Sequence, residues 1–329
     1  MTELELVEPC TIYNERPTSS RNDTIKSFCR RLFTLTDRST QRQHFPLFIL
    51  GMIILHIITY CLIRINLYGR DRYFDINLPN LFGFFLPCML PTPDTVRNLT
   101  VNSCPRTMYT TKCYYDDALK HICSSFAYPH QIWRLITVNF CHIEWLHLLS
   151  NLSIELIQGV PLERKYGSIR VAAVYWLSGL GSSLSFIIEF TSGRAIGASG
   201  SLYGLMVFLI VDRLFASFSN NQCRSFPIIQ LIVLLVPHLI LTIPLIVLYN
   251  VAHWAHLSSS LIGFLCSMIM IDCPWLPTSV NRIHQKILRS IAVFLLCFYY
   301  ISTFSILFRS KAPTLYWLLN NDQLTEFFE

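Results

Sequence analysis

The feature that most constrains this chain is a series of apolar stretches about as long as a bilayer is thick. Pro46–Ile65, Ile169–Ile188, Pro227–Leu248 and Leu288–Phe308 each approach the ~20 residues that a helix needs to cross hydrocarbon. Ser199–Val211 and His256–Ile271 reach that length once their small and polar leading residues are included. Trp145–Leu162 is polar for a span, carrying His147, Asn151, Glu155 and Gln158, and so belongs among other helices rather than in lipid. Composition agrees, with 52% of the 329 residues hydrophobic and only 14% charged. The expected fold class is an all-α polytopic membrane protein, a bundle of seven transmembrane helices.

Basic residues near the span ends set the expected orientation. The first 45 residues hold seven Lys/Arg, and the segments after spans two, four and six hold Arg164, Lys165, Arg170, Arg213, Arg224, Arg282, Lys286 and Arg289. The loops after spans three and five offer only Arg194. These counts predict a cytosolic N-terminus. The net charge of +6 reflects the same bias and is no sign of nucleic-acid binding. Glu3, Glu5 and Glu8 stand where a cleavable signal would be basic, so span one is expected to act as its own insertion signal.

The expected organisation is then a basic cytosolic tail (1–45), span one (46–65) and a large lumenal or extracellular loop (66–144). A core of spans two to six (145–271) follows, then a cytosolic loop with span seven (272–308) and a lumenal or extracellular tail (309–329). The large loop contains Cys88, Cys104, Cys113 and Cys123, which allow up to two disulfides with three possible pairings. No tight Cys-x-x-Cys pair is present, so no metal site is expected. Asn98-Leu-Thr100 is a sequon on the glycosylated side, whereas Asn22 falls in the cytosolic tail and Asn151 inside a span. Leu78–Leu90, broken by Pro79 and Pro87, is expected to lie in the membrane interface.

Alternating crossings put the first turns of spans two, four and six on one side. Those turns carry His147 and Asn151, Ser199, and His253 and His256. A hydroxyl, imidazoles and an amide therefore meet at one depth. Serine is a poor nucleophile until a base takes its proton, and imidazole has a suitable pKa. His147 and Asn151, four apart on one helix face, can offer N–H donors to a developing oxyanion beside the Ser199 amide. Tyr203 shares the face of Ser199 and can brace the histidine. With no carboxylate at that depth, a Ser–His dyad is expected rather than a triad. His56 and His238 show no companions at their depth and read as structural.

Taken together, these segments resemble the rhomboid intramembrane serine proteases. "GASGSLYGL" (Gly197–Leu205) is similar to their G-x-S-G motif, "HLLSNL" (His147–Leu152) to H-x-x-x-N, and "WAHLSSSLIGF" (Trp254–Phe264) to their catalytic-histidine segment. Trp133-Arg134 and "GVPLERKYGSIR" (Gly159–Arg170) match as well. The resemblance implies Ser199 as nucleophile, His256 as general base, and His147, Asn151 and the Ser199 amide as oxyanion hole. It implies that Gly197 and Gly200 shape the motif turn and that Tyr203 packs on His256. Trp133 and Arg134 would stabilise the loop, and Gly263, seven residues after His256, would be a packing position that favours His256 over His253. A seventh span after a six-span core resembles the eukaryotic secretase-type members. Ser259 stands where a glycine is usual, and Glu155 where glutamine is frequent.

The function so implied is endoproteolysis of single-pass membrane proteins, growth-factor precursors among them, in or near their transmembrane segment, with neither cofactor nor metal. The expected location is a membrane of the secretory pathway. The alternative is a catalytically inactive rhomboid-like protein that binds membrane clients for trafficking or degradation. A transporter fits less well, because the polar cluster lies near one surface.

Overall fold

The computed structural model of the chain describes residues 44–68, 82–101, 112–123, 127–142, 144–189, 194–219, 228–236, 240, 253–271 and 278–315. The N-terminal tail, Cys104, Pro237, His238 and Pro244 lie outside the described residues. The longer helices are α1 (Leu47–Tyr68), α2 (Tyr115–Ile122), α3 (Trp145–Ile154), α4 (Val160–Tyr166), α5 (Ser168–Glu189), α6 (Ser199–Ser219), α7 (His253–Met270) and α8 (Thr278–Arg309). Residues 228–236 are also helical. Among the described residues, three helical segments are long and apolar enough to cross a membrane: Leu47–Ile65, Ser199–Ser217 and Ile283–Arg309.

At the centre of the bundle α5, α6 and α7 each pack against the other two, and α8 lies against α5 and α7. Small residues set these distances. A Cβ on Gly263 would collide with the backbone of Gly204, and one on Gly204 with the side chain of Ser178. The three helices thus approach as closely as their backbones allow, the usual use of small residues where helices meet in a membrane. Tyr299 and Tyr300 anchor α8 on α5 by donating to the carbonyls of Gly181 and Leu177, both at 2.6 Å.

The segment read as one straight second span has a break. α3 ends at Ile154, residues Glu155–Gly159 form a π-helical turn, and α4 begins at Val160. Pro161 in the first turn of α4 has no N–H to donate back, and the wider turn ahead of it removes the need for that bond.

Hydrogen bonds tie the start of α1 and the segment after α8 to the rest of the protein. Glu163 accepts the Phe48 and Ile49 amides at 2.8 Å each, capping the start of α1. After α8, the Ala312 amide donates to the Pro91 carbonyl (2.9 Å) and the Leu315 amide to the Tyr115 hydroxyl (2.8 Å). The segment after α8 and the loop after α1 therefore lie at the same end of the bundle.

That loop is folded. Strand β1 (Phe84–Phe85) pairs antiparallel with β4 (Arg194–Ala195), and β2 (Thr100–Val101) with β3 (Cys113–Tyr114). Phe84, Phe85, Leu86, Cys88, Met89 and Leu90 are all buried, so this part of the stretch expected at the lipid interface packs into the protein instead. The reason is its neighbours: β4 supplies backbone partners and Phe186 a ring contact with Phe84. Cys88 is bonded to Cys123, which selects one of the three pairings. Cys113 is also disulfide-bonded.

Seven of the basic residues counted between the spans lie in helices, Arg164 and Lys165 in α4, Arg170 in α5 and Arg282 in α8 among them. Arg213 lies within α6 and is buried, and Lys286 and Arg289 lie within α8. Arg213 donates to Asp212 through Nε (2.8 Å) and Nη2, and through Nη1 to Gln230 (2.8 Å). Lys165 and Tyr166 donate to the other Asp212 oxygen. Arg213 is held by a buried carboxylate rather than by the membrane surface.

Candidate active site

The turn Ala195–Ala198 runs straight into α6, and Ser199 is the first residue of that helix. Leu202 makes the first backbone bond back, to Ala198, so the amides of Ser199, Gly200 and Ser201 have no partner within the helix. They form a donor cluster at the positive end of the helix dipole. Gly197 has φ +115°, a backbone conformation that side chains resist. Its amide donates to the Val138 carbonyl (3.1 Å), while the Ser201 hydroxyl donates to Asn139 Oδ1 (3.1 Å). Residues 138–139 thereby clamp the turn on both sides of Ser199.

Ser199 Oγ lies 2.9 Å from His256 Nε2. The ring of Tyr203, one turn along α6, stacks on the His256 ring with centroids 4.2 Å apart and planes 14° from parallel. His253 opens α7 and is exposed. Ser259 is fully buried, and its hydroxyl donates to the His256 carbonyl (2.9 Å), as does that of Ser260 (2.8 Å). The Ser259 and Ser260 hydroxyls are thus satisfied within their own helix, and the missing glycine leaves no polar group unpaired.

His147 and Asn151 reach the same turn from α3. A Cβ added to Gly197 would lie 2.7 Å from His147 Cε1, 3.0 Å from His147 Nε2 and 3.7 Å from Asn151 Nδ2. Only glycine leaves room for both. A Cβ on Gly200 would strike the Ser182 side chain, so the second glycine seats α6 against α5.

Arg134 is fully buried, donating through Nε to Gln131 Oε1 and through Nη1 to the Gly83 carbonyl, both at 2.7 Å. Gln131 in turn donates to the Cys123 carbonyl (2.7 Å). The Trp133 carbonyl accepts the amides of Ile136 and Thr137, closing a short helical turn. Asn98 and Thr100 are exposed.

His56 is not isolated. Its Nε2 is 3.1 Å from the Tyr175 hydroxyl and 3.7 Å from Glu155 Oε2, and its ring meets His142 edge to face at 5.3 Å. His142, in the bend before α3, was missed by the sequence reading. Its Nε2 is 2.9 Å from Asn151 Nδ2. Its spacing of five residues before His147 was the one available signal. Among the described residues no cluster of three or more His, Cys, Asp or Glu could hold a metal ion.

Apolar helices wrapped around a buried polar centre define a helical membrane protein. Residues 129–273 match the family model of the Rhomboid domain. It is 28% identical over 153 residues to RHOMBOID-like protein 1 of Arabidopsis thaliana, covering 46% of this chain and 38% of the relative. It is 30% identical over 142 residues to RHOMBOID-like protein 4 of the same plant, covering 43% and 35%. It is also 31% identical over 77 residues to a protein named Inactive RHOMBOID-like protein 8, covering 23% and 22%. The chain spans less than half the length of each of these relatives.

Proposed function

We propose that the protein is an intramembrane serine endopeptidase that cuts single-pass membrane proteins in or near their transmembrane segment and releases the lumenal or extracellular part. The observation that carries this reading is the 2.9 Å approach of Ser199 Oγ to His256 Nε2, at a helix start whose first amides have no partner within the helix. The match of residues 129–273 to the Rhomboid domain model supports it.

In this reading a substrate helix first unwinds locally, because its peptide bonds are otherwise internally paired. Ser199 Oγ attacks the exposed carbonyl carbon as His256 Nε2 takes its proton. The negative oxygen is held by the Ser199 amide, His147 and Asn151. The tetrahedral adduct then collapses, and the leaving amine takes the proton from His256. Water, deprotonated by His256, cleaves the acyl-enzyme and regenerates the serine. Tyr203 holds the imidazole in line by stacking. No cofactor enters these steps.

The topology proposed with it has seven spans, a cytosolic N-terminus and a secretory-pathway membrane. The shared end of the post-α8 segment and the loop after α1 supports an odd number of crossings between them and the cytosolic tail. A glycan on Asn98 fits the same orientation, and its exposure supports that use. The disulfide Cys88–Cys123 fits an oxidising compartment.

The second reading, an inactive client-binding protein, is motivated by the relative named inactive. The presence of both Ser199 and His256 at bonding distance favours the protease. A fluorophosphonate probe tests it on the full chain in detergent micelles. Labelling of wild type and none of Ser199→Ala is expected, while folded wild type that is neither labelled nor able to cut any single-pass reporter would sink the proposal.

A further inference from the structure

Asn151 and His142 meet where the proposed chemistry needs a donor held in one orientation. The Asn151 side chain is buried at 3% exposure and His142 at 0%. A primary amide nitrogen carries two N–H groups and accepts nothing, so the facing His142 Nε2 takes one of them as acceptor. That requires a neutral ring with its proton on Nδ1. Burial, reinforced by the neighbouring His147 and His56, holds His142 well below the ordinary imidazole range. The second N–H of Asn151 is left for the turn at Gly197, beside Ser199.

The amide is nearly symmetric in shape but opposite in charge at its two ends. Rotated by half a turn, it would present its carbonyl oxygen where negative charge develops. The two orientations fill nearly the same volume, and the acceptor on His142 tells them apart. The His142 ring is itself held edge-on between His147 (5.1 Å, 67°) and His56 (5.3 Å, 88°). His56 is fixed in turn by the Tyr175 hydroxyl, with Glu155 behind it. A chain of buried side chains from α1, α5 and the π-turn thus braces the ring that faces Asn151.

We infer that His142 is a positioning residue: its Nε2 accepts one Asn151 N–H and so keeps the other aimed at the oxyanion formed on Ser199 attack. The inference rests on the proposed protease reading and adds to it a residue that touches neither substrate nor serine.

The test is steady-state cleavage of a single-pass reporter by the full chain in proteoliposomes, with fluorophosphonate labelling rates alongside. Loss of one oxyanion donor costs about 10²–10³ in kcat, so His142→Phe, which only frees the amide, is expected to lower kcat about 10- to 100-fold with KM little changed. His142→Gln, which returns an acceptor oxygen, should recover most of that loss. In an Asn151→Ala background His142→Phe should add no further loss, since the residue acts through Asn151. Should His142→Phe fail to fold, His142→Met fills the space with a flexible apolar chain and carries the same comparisons. Full activity in His142→Phe, no recovery in His142→Gln, or an equal further loss in the Asn151→Ala background would each overturn the inference while leaving the protease reading intact. Wild type that neither labels nor cleaves would overturn both.

Discussion

Tyr203 lies face to face with His256, centroids 4.2 Å apart, and belongs to the same helix as the serine that the histidine meets at 2.9 Å. One helix therefore carries both the serine and the ring that braces its histidine. A stacked aromatic pair is worth about 0.5–1.5 kcal/mol beyond burial. Tyr203→Phe should keep wild-type kcat, and Tyr203→Ala should lower it by up to about tenfold as the imidazole loses its alignment. Equal kcat in Tyr203→Ala and wild type would show that the stack does not orient the base.

Gly197 answers to two constraints at once, a φ of +115° and His147 within 2.7 Å of any added Cβ. Gly197→Ala is expected to displace His147 and twist the turn before Ser199. Overpacking of this kind costs about 1–3 kcal/mol. Cleavage should fall by at least tenfold, about 1.4 kcal/mol, with the protein still folded in micelles. Retained cleavage would show that His147 has room to move.

Arg134 links Gln131 and the Gly83 carbonyl from a fully buried position, and so holds β1 against the turn after the Cys88–Cys123 bridge. Removing it strands acceptors that cost about 1–3 kcal/mol each when left unpaired. Arg134→Ala should lower the melting temperature in micelles and expose the loop to trypsin, while Ser199→Ala should do neither. A melting temperature unchanged by Arg134→Ala would contradict the anchoring role.

Asp212 gathers Lys165, Tyr166 and Arg213 onto one buried carboxylate. Breaking such a pair by removing one partner costs about 3–5 kcal/mol, because a charge is left buried alone. Asp212→Ala should fail to fold or melt far below wild type. The paired change Asp212→Ala with Arg213→Met should recover part of the loss, and its failure to do so would mean the cluster contributes through more than charge balance.

Cys141 stands beside the buried bend at His142 and donates to the Thr137 carbonyl at 3.7 Å. Burial pushes its thiol up to about 12, only partly opposed by Arg134. Because the thiolate is the reactive form, iodoacetamide at about pH 8.5, where a free thiol is half ionised, should leave Cys141 untouched in native micelles. Modification should follow denaturation. Fast labelling of Cys141 in the folded protein would contradict the buried placement of this bend.

Much of the architecture was legible because hydrophobic length, helix-start serines and small-residue spacing are local properties. α1 and α6 begin within a residue of where the apolar stretches begin, since a helix end in a membrane is set by the residues at that end. The pairing of Cys88 with Cys123 was not legible, because four cysteines in one loop carry no record of which two come together. His56 was misread as isolated for a related reason. Its partners come from a bend at His142, a π-turn at Glu155 and a helix at Tyr175, and no spacing rule joins those three. Arg213 was misread too, because a charge near a span end looks the same in sequence whether it faces headgroups or a buried aspartate.

By itself the sequence determined the class of molecule, a helical membrane protein with a serine, histidines and an amide at one depth, because burial of apolar length in lipid dominates every other choice. Only the tertiary structure decided which side chains touch: that Ser199 meets His256, that Asn151 turns toward His142, and that Asp212 rather than the membrane surface holds Arg213. Those contacts depend on the distances between helices and on how the loops fold back between them. Such distances are set by packing over the whole bundle, which no local stretch of residues encodes.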